Sequence, residues 1–257
     1  MRVLNFKLFV LFVTIQGLGS CSFTDYQVNK LVVRQLPITP EIQEDTLLSI
    51  FIAPYRQHID EILDAPLSYA PELLSKTSGT LNTNIGNLMA DIVLEQTTGL
   101  MLKKGLSGVD LALLNFGGIR SVISPGPVSE RTAYEVMPFE NIIVVVELTG
   151  QPLQEMIEYL VDKQVAHPFS GLKLKLNPDG SLLEAQINNL PVDYTKTYRI
   201  ATSNYLQGGG DGMVFLKFGL NPIETGYLIR NAMTDYFRKT DTLRTKTDDR
   251  FIQISPK

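Results

Sequence analysis

Two glycine-rich segments hold the residues whose types and spacing could do chemistry. The first is Asn115-Phe116-Gly117-Gly118-Ile119-Arg120, and the second is Ser203-Asn204-Tyr205-Leu206-Gln207-Gly208-Gly209-Gly210-Asp211-Gly212-Met213. Glycine adopts positive φ without a Cβ penalty, and its bare backbone lets a ligand come close to main-chain N–H groups. Beside these glycines the first segment supplies a guanidinium, and the second supplies a carboxylate and an aromatic ring. A planar, charged, hydroxylated ligand such as a nucleotide needs that combination. Each segment alone also reads as an ordinary turn; the pair is far more specific.

The elements around these segments belong to an α/β chain. Strand-like runs at 109–114 and 197–202 lead directly into them. Residues 84–103 fit a helix, 129–136 a short helical segment, 142–148 a buried apolar strand, and 152–161 an amphipathic helix. Residues 172–176 alternate apolar side chains with lysines, turn at Asn177-Pro178-Asp179-Gly180 and return through 182–187 as a hairpin. A helix over 224–239 and a last strand over 250–254 complete the pattern. Crossover-linked and hairpin-linked strands mixed with helices predict a layered α/β (α+β) domain with mixed sheets and outer helices.

The N-terminus reads as a leader followed by a tether. Arg2 and Lys7 precede the apolar run Leu8-Phe9-Val10-Leu11-Phe12-Val13, which is too short to span a bilayer as a stable helix. Leu18-Gly19-Ser20-Cys21 resembles the processing site of bacterial lipoproteins, and Cys21 is the only cysteine in the chain. Residues 1–20 are therefore expected to be a lipoprotein signal peptide, with Cys21 as the lipidated residue of an extracytoplasmic protein held at the bacterial cell envelope. A cysteine placed by chance after a plain signal peptide is the alternative. Residues 21–39 form the tether. Residues 40–66 form a linker-type helix starting at Pro40 and kinked at Pro54, with Leu47, Leu48, Phe51, Ile52, Tyr55, Ile59, Ile62 and Leu63 on a broad face expected to pack on the domain.

Lys and Arg number 23 against 27 Asp and Glu, a net charge of −4 without a basic cluster, so a nucleic-acid partner is not expected. A mononucleotide needs only one or two local cations. His58 and His167 are the only histidines and read as surface or packing residues. There is no Walker-type phosphate loop, Gly-x-Ser-x-Gly elbow or spare cysteine.

Together with Gly86-Asn87-Leu88-Met89-Ala90-Asp91, Pro138-Phe139-Glu140-Asn141 and Asp249-Arg250-Phe251, the two glycine segments resemble the C-terminal, substrate-binding domain of the 5′-nucleotidases, in that family's motif order. The likeness runs from about Leu67 to Ile252 and places the domain at 67–257, with Gly208-Gly209-Gly210-Asp211-Gly212 the most specific part. It implies that Phe139 and Tyr205 sandwich a base and Asp211 holds ribose hydroxyls. It further implies that Asn115, Gly117, Gly118 and Arg120 approach the phosphate, with Gly209 and Gly210 completing the substrate-binding set. An arginine that the family commonly carries upstream of its Gly-Asn-Leu segment is missing here, because residues 78–85 hold no basic side chain.

Each residue also has a structural reading. Phe139 could be a core ring, and Asp211 could cap a following helix. Arg120 could pair with Glu130 or Glu140, and Asp91 reads as structural. Asp249-Arg250 reads as a turn with an ion pair holding the last strand.

The family's catalytic half uses two metal ions held by clustered Asp, His and Asn. The two isolated histidines here predict no such site, no catalytic residue and no cofactor, with divalent metal expected only in a partner. Two functions follow: the substrate-recognition half of a 5′-nucleotidase-type phosphomonoesterase, working in nucleotide catabolism with a separately encoded metallophosphatase, or a stand-alone extracytoplasmic nucleoside- or nucleotide-binding lipoprotein.

Overall fold

The computed structural model describes residues 9–11, 30 and 32–255. Cys21 and all but three residues of the expected signal peptide lie outside the described residues. The chain divides into two compact units, Met1–Ile50 and Phe51–Lys257.

In the first unit, residues 32–39 form no regular element. Helix α1 (Thr46–Leu63) starts six residues later than Pro40, because Asp45 caps it: its Oδ1 accepts the N–H groups of Leu47 and Leu48 at 2.9 and 3.1 Å. The helix runs on through Pro54, and none of its 18 residues is buried. Within the second unit Phe51, Ile52, Tyr55, Ile59 and Ile62 are exposed, so the expectation that these side chains pack on the domain is not met. At its C-terminal end, within the second unit, the Arg131 guanidinium forks onto Asp60 and Asp64. An ion pair, rather than apolar burial, fixes that end.

The second unit continues with β1 (Pro66–Ala70), α2 (Asn84–Lys103), β2 (Leu111–Leu113), β3 (Gly126–Ser129), α3 (Glu130–Val136) and β4 (Ile142–Leu148). Then follow α4 (Gly150–Lys163), β5 (Phe169–Ser170), β6 (Leu172–Leu176), β7 (Leu182–Ile187), β8 (Leu190–Pro191) and β9 (Tyr198–Ser203). The chain ends through α5 (Asn204–Gln207), β10 (Leu220–Leu228), α6 (Ile229–Lys239) and β11 (Phe251–Gln253). The helix expected over 224–239 starts only at Ile229. The preceding residues pair with β4, Ile223 opposite Val145 and Glu224 opposite Val144.

The central five-stranded sheet has the order β10-β4-β9-β2-β5. Both of its faces are covered, and the alternation of side chains along a strand divides each strand between two cores. Leu111 and Leu113 of β2, Val144 and Val146 of β4, and Ile200 of β9 face one core; Ala112, Ile143 and Ala201 face the other. This explains why 111–114 and 142–146 read as unbroken apolar runs. Against one face lie α2, α3 and α6, through Ile85, Met89, Ala133, Val136, Met233 and Phe237. Against the other lie α4 and the four-stranded sheet β11-β6-β7-β8, through Leu153, Leu160, Leu172, Leu174 and Phe251. The fold is the layered α/β arrangement with mixed sheets expected from the sequence.

Within the five-stranded sheet, β2 is parallel to β9, and β9 is antiparallel to β4, with Ile143 opposite Ser203. The ends of β2 and β9 and the start of β4 therefore lie at one edge. Segments 115–120, 203–213 and 138–141 all emerge there. Open sheets with parallel strands place ligand crevices at the carboxyl ends of those strands.

Candidate functional site

At that edge Asn115, Gly117, Gly118, Arg120, Phe139, Asn141, Tyr205 and Asp211 line a cleft of about 370 Å³. The sequence singles out seven of these residues for binding. It gives Asn141 no such role, although that residue stands two positions after Phe139 in a segment already noted.

The first wall is the turn after β2. Phe116–Gly118 forms a single 3-10 turn closed by the Gly118 N–H donating to Asn115 O at 3.1 Å. The Asn115 side chain is 7% exposed, and its Nδ2 donates to Asp211 Oδ2 at 2.7 Å. A Cβ on Gly118 would lie 2.9 Å from Asn115 Oδ1, so the absence of a side chain at 118 leaves room for that carboxamide. Arg120 is exposed; its Nη1 donates to Gly117 O at 3.4 Å, and its guanidinium carbon lies 5.9 Å from the centre of the Phe139 ring. The two carboxylates proposed as its structural partners are engaged elsewhere, Glu130 with Arg238 at 2.9 Å and Glu140 with Arg230 at 2.6 Å. Arg120 makes no ion pair among the described residues.

The opposite wall follows β9. Ser203 caps α5 by accepting the Leu206 N–H on its Oγ at 3.1 Å, which turns Tyr205 outward. Tyr205 is 48% exposed and Phe139 41% exposed, so both rings are open to solvent at the cleft. Neither belongs to a core cluster. Gly210 touches the tyrosine: a Cβ there would lie 2.4 Å from the Tyr205 ring. Gly209, at φ +85°, turns the chain beside the Lys217 side chain. Neither glycine lines the cleft; both shape the loop that does.

Asp211 closes this wall in a left-handed conformation, φ 50° and ψ 22°, which costs energy for most residues but is tolerated by Asp. Its Oδ1 accepts from the Tyr205 hydroxyl at 2.8 Å and its Oδ2 from Asn115. Its carboxylate caps no helix. A carboxylate offers about four lone-pair directions, so after these two bonds it retains acceptor capacity toward the cleft.

Two residues that the sequence does not mark for binding do not line the cleft but bond the backbone of its walls. Tyr159 of α4 donates its hydroxyl to Asp211 O at 2.7 Å; burial, and secondarily the Asp211 charge, push that hydroxyl above its usual range. His167 is 6% exposed, and its Nδ1 accepts the Phe116 N–H at 3.2 Å. Burial pushes the imidazole down to about 4, against a smaller opposing effect from the Asp211 charge. Its packing role is as expected, and it also bonds the backbone of the first turn. Nothing in the local sequence of either residue signals this. Their partners lie 51 positions away for His167 and 52 for Tyr159.

The other segments noted in the sequence are structural. Asn87 donates to Asn82 Oδ1 at 2.8 Å and to Lys246 O at 3.0 Å. Arg250 forks onto Asp91 at 2.9 and 3.1 Å and bonds Asp248 at 2.8 Å, tying the last strand to α2. Asp249 instead meets Lys173 at 3.2 Å. Among the described residues no three His, Cys, Asp or Glu side chains come together so as to hold a metal ion.

Comparison with known proteins bears on the family and the fold. The family description "5′-nucleotidase, C-terminal domain" matches residues 65–217. Protein UshA of Escherichia coli (strain K12) is 28% identical over 214 residues, 80% of this chain and 36% of that protein. The trifunctional nucleotide phosphoesterase protein YfkN of Bacillus subtilis (strain 168) is 26% identical over 83% of this chain, which is 15% of its own length. The solved 5′-nucleotidase precursor of Thermus thermophilus superimposes with a TM-score of 0.68 at 25% identity, over 83% of this chain and 44% of that one. The chain thus spans well under half the length of the curated relatives it matches.

Proposed function

We propose, from the premise that this chain belongs to the 5′-nucleotidase C-terminal domain family, that its cleft recognises a mononucleotide and presents it to a separately encoded metallophosphatase. Phe139 and Tyr205 stack on the base, a contact worth roughly 1–3 kcal/mol per ring and largely indifferent to base identity. The free acceptor positions of Asp211 take ribose hydroxyls. Arg120, with Asn115 and the Gly117-Gly118 backbone, takes the phosphate. Binding, rather than bond breaking, is the role of these residues; hydrolysis belongs to the partner and its divalent metals, in nucleotide catabolism. The chain acts outside the cytoplasm at the cell envelope, anchored through Cys21. The observation that carries this reading is the convergence on one cleft of two half-exposed rings, a carboxylate and an arginine that makes no ion pair among the described residues.

Calorimetric titration of adenosine and AMP tests it. Phe139→Ala and Tyr205→Ala should each weaken both ligands by roughly one to two tenfold steps. Arg120→Ala should weaken AMP and leave adenosine nearly unchanged, because only AMP carries the anion that a guanidinium fork recognises. Equal loss of both ligands in Arg120→Ala would refute the phosphate assignment. The chain alone should not hydrolyse AMP with added divalent metals and should raise turnover when the cognate metallophosphatase is supplied. Metal-dependent turnover that survives repurification would overturn the binding-only role.

A second reading, a stand-alone nucleoside- or nucleotide-binding lipoprotein, is favoured by the lack of any basic residue over 78–85. Adenosine binding as tight as AMP binding would select it.

A further inference from the structure

His167 is a buried, titratable side chain that ligand recognition does not call on directly, yet it lies where the two cleft walls are braced. Its Nδ1 accepts the Phe116 N–H at 3.2 Å, inside the turn that carries Asn115, Gly117 and Gly118. Its ring packs on Tyr159, with centroids 5.7 Å apart, and the Tyr159 hydroxyl donates to the main-chain carbonyl of Asp211 at 2.7 Å. On the cleft side the same two turns are joined by Asn115 Nδ2 to Asp211 Oδ2 at 2.7 Å. These contacts close a ring: Asn115, Phe116, His167, Tyr159, Asp211 and back to Asn115. The neighbouring backbone is fixed as well, since the Leu114 N–H donates to Pro168 O at 2.8 Å.

We propose that His167 is a positioning residue for the cleft, one that holds the Asn115 turn and the Asp211 turn at a single separation by accepting the Phe116 N–H at Nδ1 while its ring supports Tyr159. The proposal rests on the reading of the cleft as a nucleotide site and adds a residue that touches no ligand. The physical reason is selective. Only an imidazole with an unprotonated Nδ1 serves the Phe116 N–H, and a protonated ring would present a donor to that donor. The charged and titratable groups facing the ring are Asp211, from the second turn, and Tyr159, from α4; Lys163 lies on Tyr159 in turn, its Nζ 6.0 Å from that ring. Burial opposes charging of the imidazole more strongly than the Asp211 carboxylate favours it. The acceptor is therefore kept available throughout the neutral range.

Two measurements test this on the intact chain. The first is adenosine titration of His167→Leu, which keeps bulk and removes the acceptor, and of His167→Asn, which places an amide oxygen near the position of Nδ1. Leucine should weaken adenosine by roughly tenfold, the scale of leaving one N–H unsatisfied, and asparagine should restore most of that loss. The second is nitrogen-15 NMR of the imidazole in the ligand-free parent protein. It should show one tautomer, Nδ1 bare and Nε2 protonated, persisting below about pH 5, and the Phe116 amide should move with the ring when it finally titrates. A histidine that merely fills space would titrate without moving that amide.

Adenosine binding by His167→Leu equal to the parent, or a mixed tautomer with an indifferent Phe116 amide, would overturn the proposal. If His167→Leu does not fold, the NMR measurement on the parent decides. If the parent binds neither adenosine nor AMP, the nucleotide reading falls, and the tautomer and the Phe116 amide still decide whether His167 braces the turn.

Discussion

Asn115 Nδ2 lies 2.7 Å from Asp211 Oδ2, a bond between side chains 96 positions apart that joins the two glycine segments across the cleft. It orients the carboxamide and the carboxylate together. It also uses one acceptor direction of Asp211, so that the carboxylate is held in a fixed pose.

Replacing Asn115 should therefore act on both walls. Asn115→Ala removes a hydrogen bond to a charged acceptor, worth about 1.5–3 kcal/mol, and should weaken adenosine by roughly ten- to hundredfold. Asn115→Asp should be worse, because it sets a second carboxylate against Asp211. Titration of adenosine at neutral pH measures both, and unchanged affinity in either variant would show that the bond does not organise the site.

Glycines should divide by what a Cβ would meet. Gly210→Ala puts a methyl group 2.4 Å from the Tyr205 ring and should displace it, weakening AMP and adenosine alike by about tenfold. Gly99 in α2 has nothing within 4 Å of a built Cβ, and its conformation is helical. Gly99→Ala should stabilise the protein by about 0.5–1 kcal/mol without touching binding. Thermal unfolding alongside titration separates the two outcomes; a destabilised Gly99→Ala would contradict the helix geometry.

Acid should weaken the fold through His167. Its folded-state value is pushed down to about 4 from the ordinary 6.5, so between those values the unfolded chain binds a proton that the folded chain does not. The contribution of neutral His167 is complete above pH 6.5 and is lost as pH falls toward 4, at up to roughly 1.4 kcal/mol per pH unit. Denaturant unfolding of parent and His167→Asn between about pH 7 and pH 4 tests this. The parent should lose the more stability over that interval, and parallel curves would refute the assignment.

Cys21→Ser should release the protein from the membrane fraction and abolish palmitate labelling, since acyl chains on that cysteine are the proposed anchor. Retention of the unlabelled variant on membranes would rule the anchor out.

Asn115, Gly117, Gly118, Arg120, Tyr205 and Asp211 are legible in the sequence because local chemistry marks them, whereas Phe139 is marked only by the family resemblance and Asn141 not at all. Glycine runs after apolar strands, with an arginine, an acid and aromatic rings beside them, depend on neighbours in the chain. The same holds for α2, β4 and the β6–β7 hairpin, found at 84–103, 142–148 and 172–187 as their periodicity predicts. The strand nature of 224–228 was hidden, because those residues continue into the amphipathic pattern of α6 and become a strand only by pairing with β4. The bareness of α1 was hidden too: an apolar stripe in a sequence specifies a surface that could be covered, whereas burial depends on what lies against it. That Arg120 does not pair with Glu130 or Glu140 depends on the fold, which sets those carboxylates against Arg238 and Arg230.

What the sequence by itself determined was the list of groups that a nucleotide would need. What only the tertiary structure decided was that they meet. Parallel pairing of β2 with β9, beside antiparallel β4, brings three loops to one edge of the sheet. Strand pairing is a long-range choice, made by the side chains of two cores and not by the loops themselves. For the same reason Tyr159 and His167, which brace the cleft from elements without any binding signature, could be recognised only once the chain had folded around them.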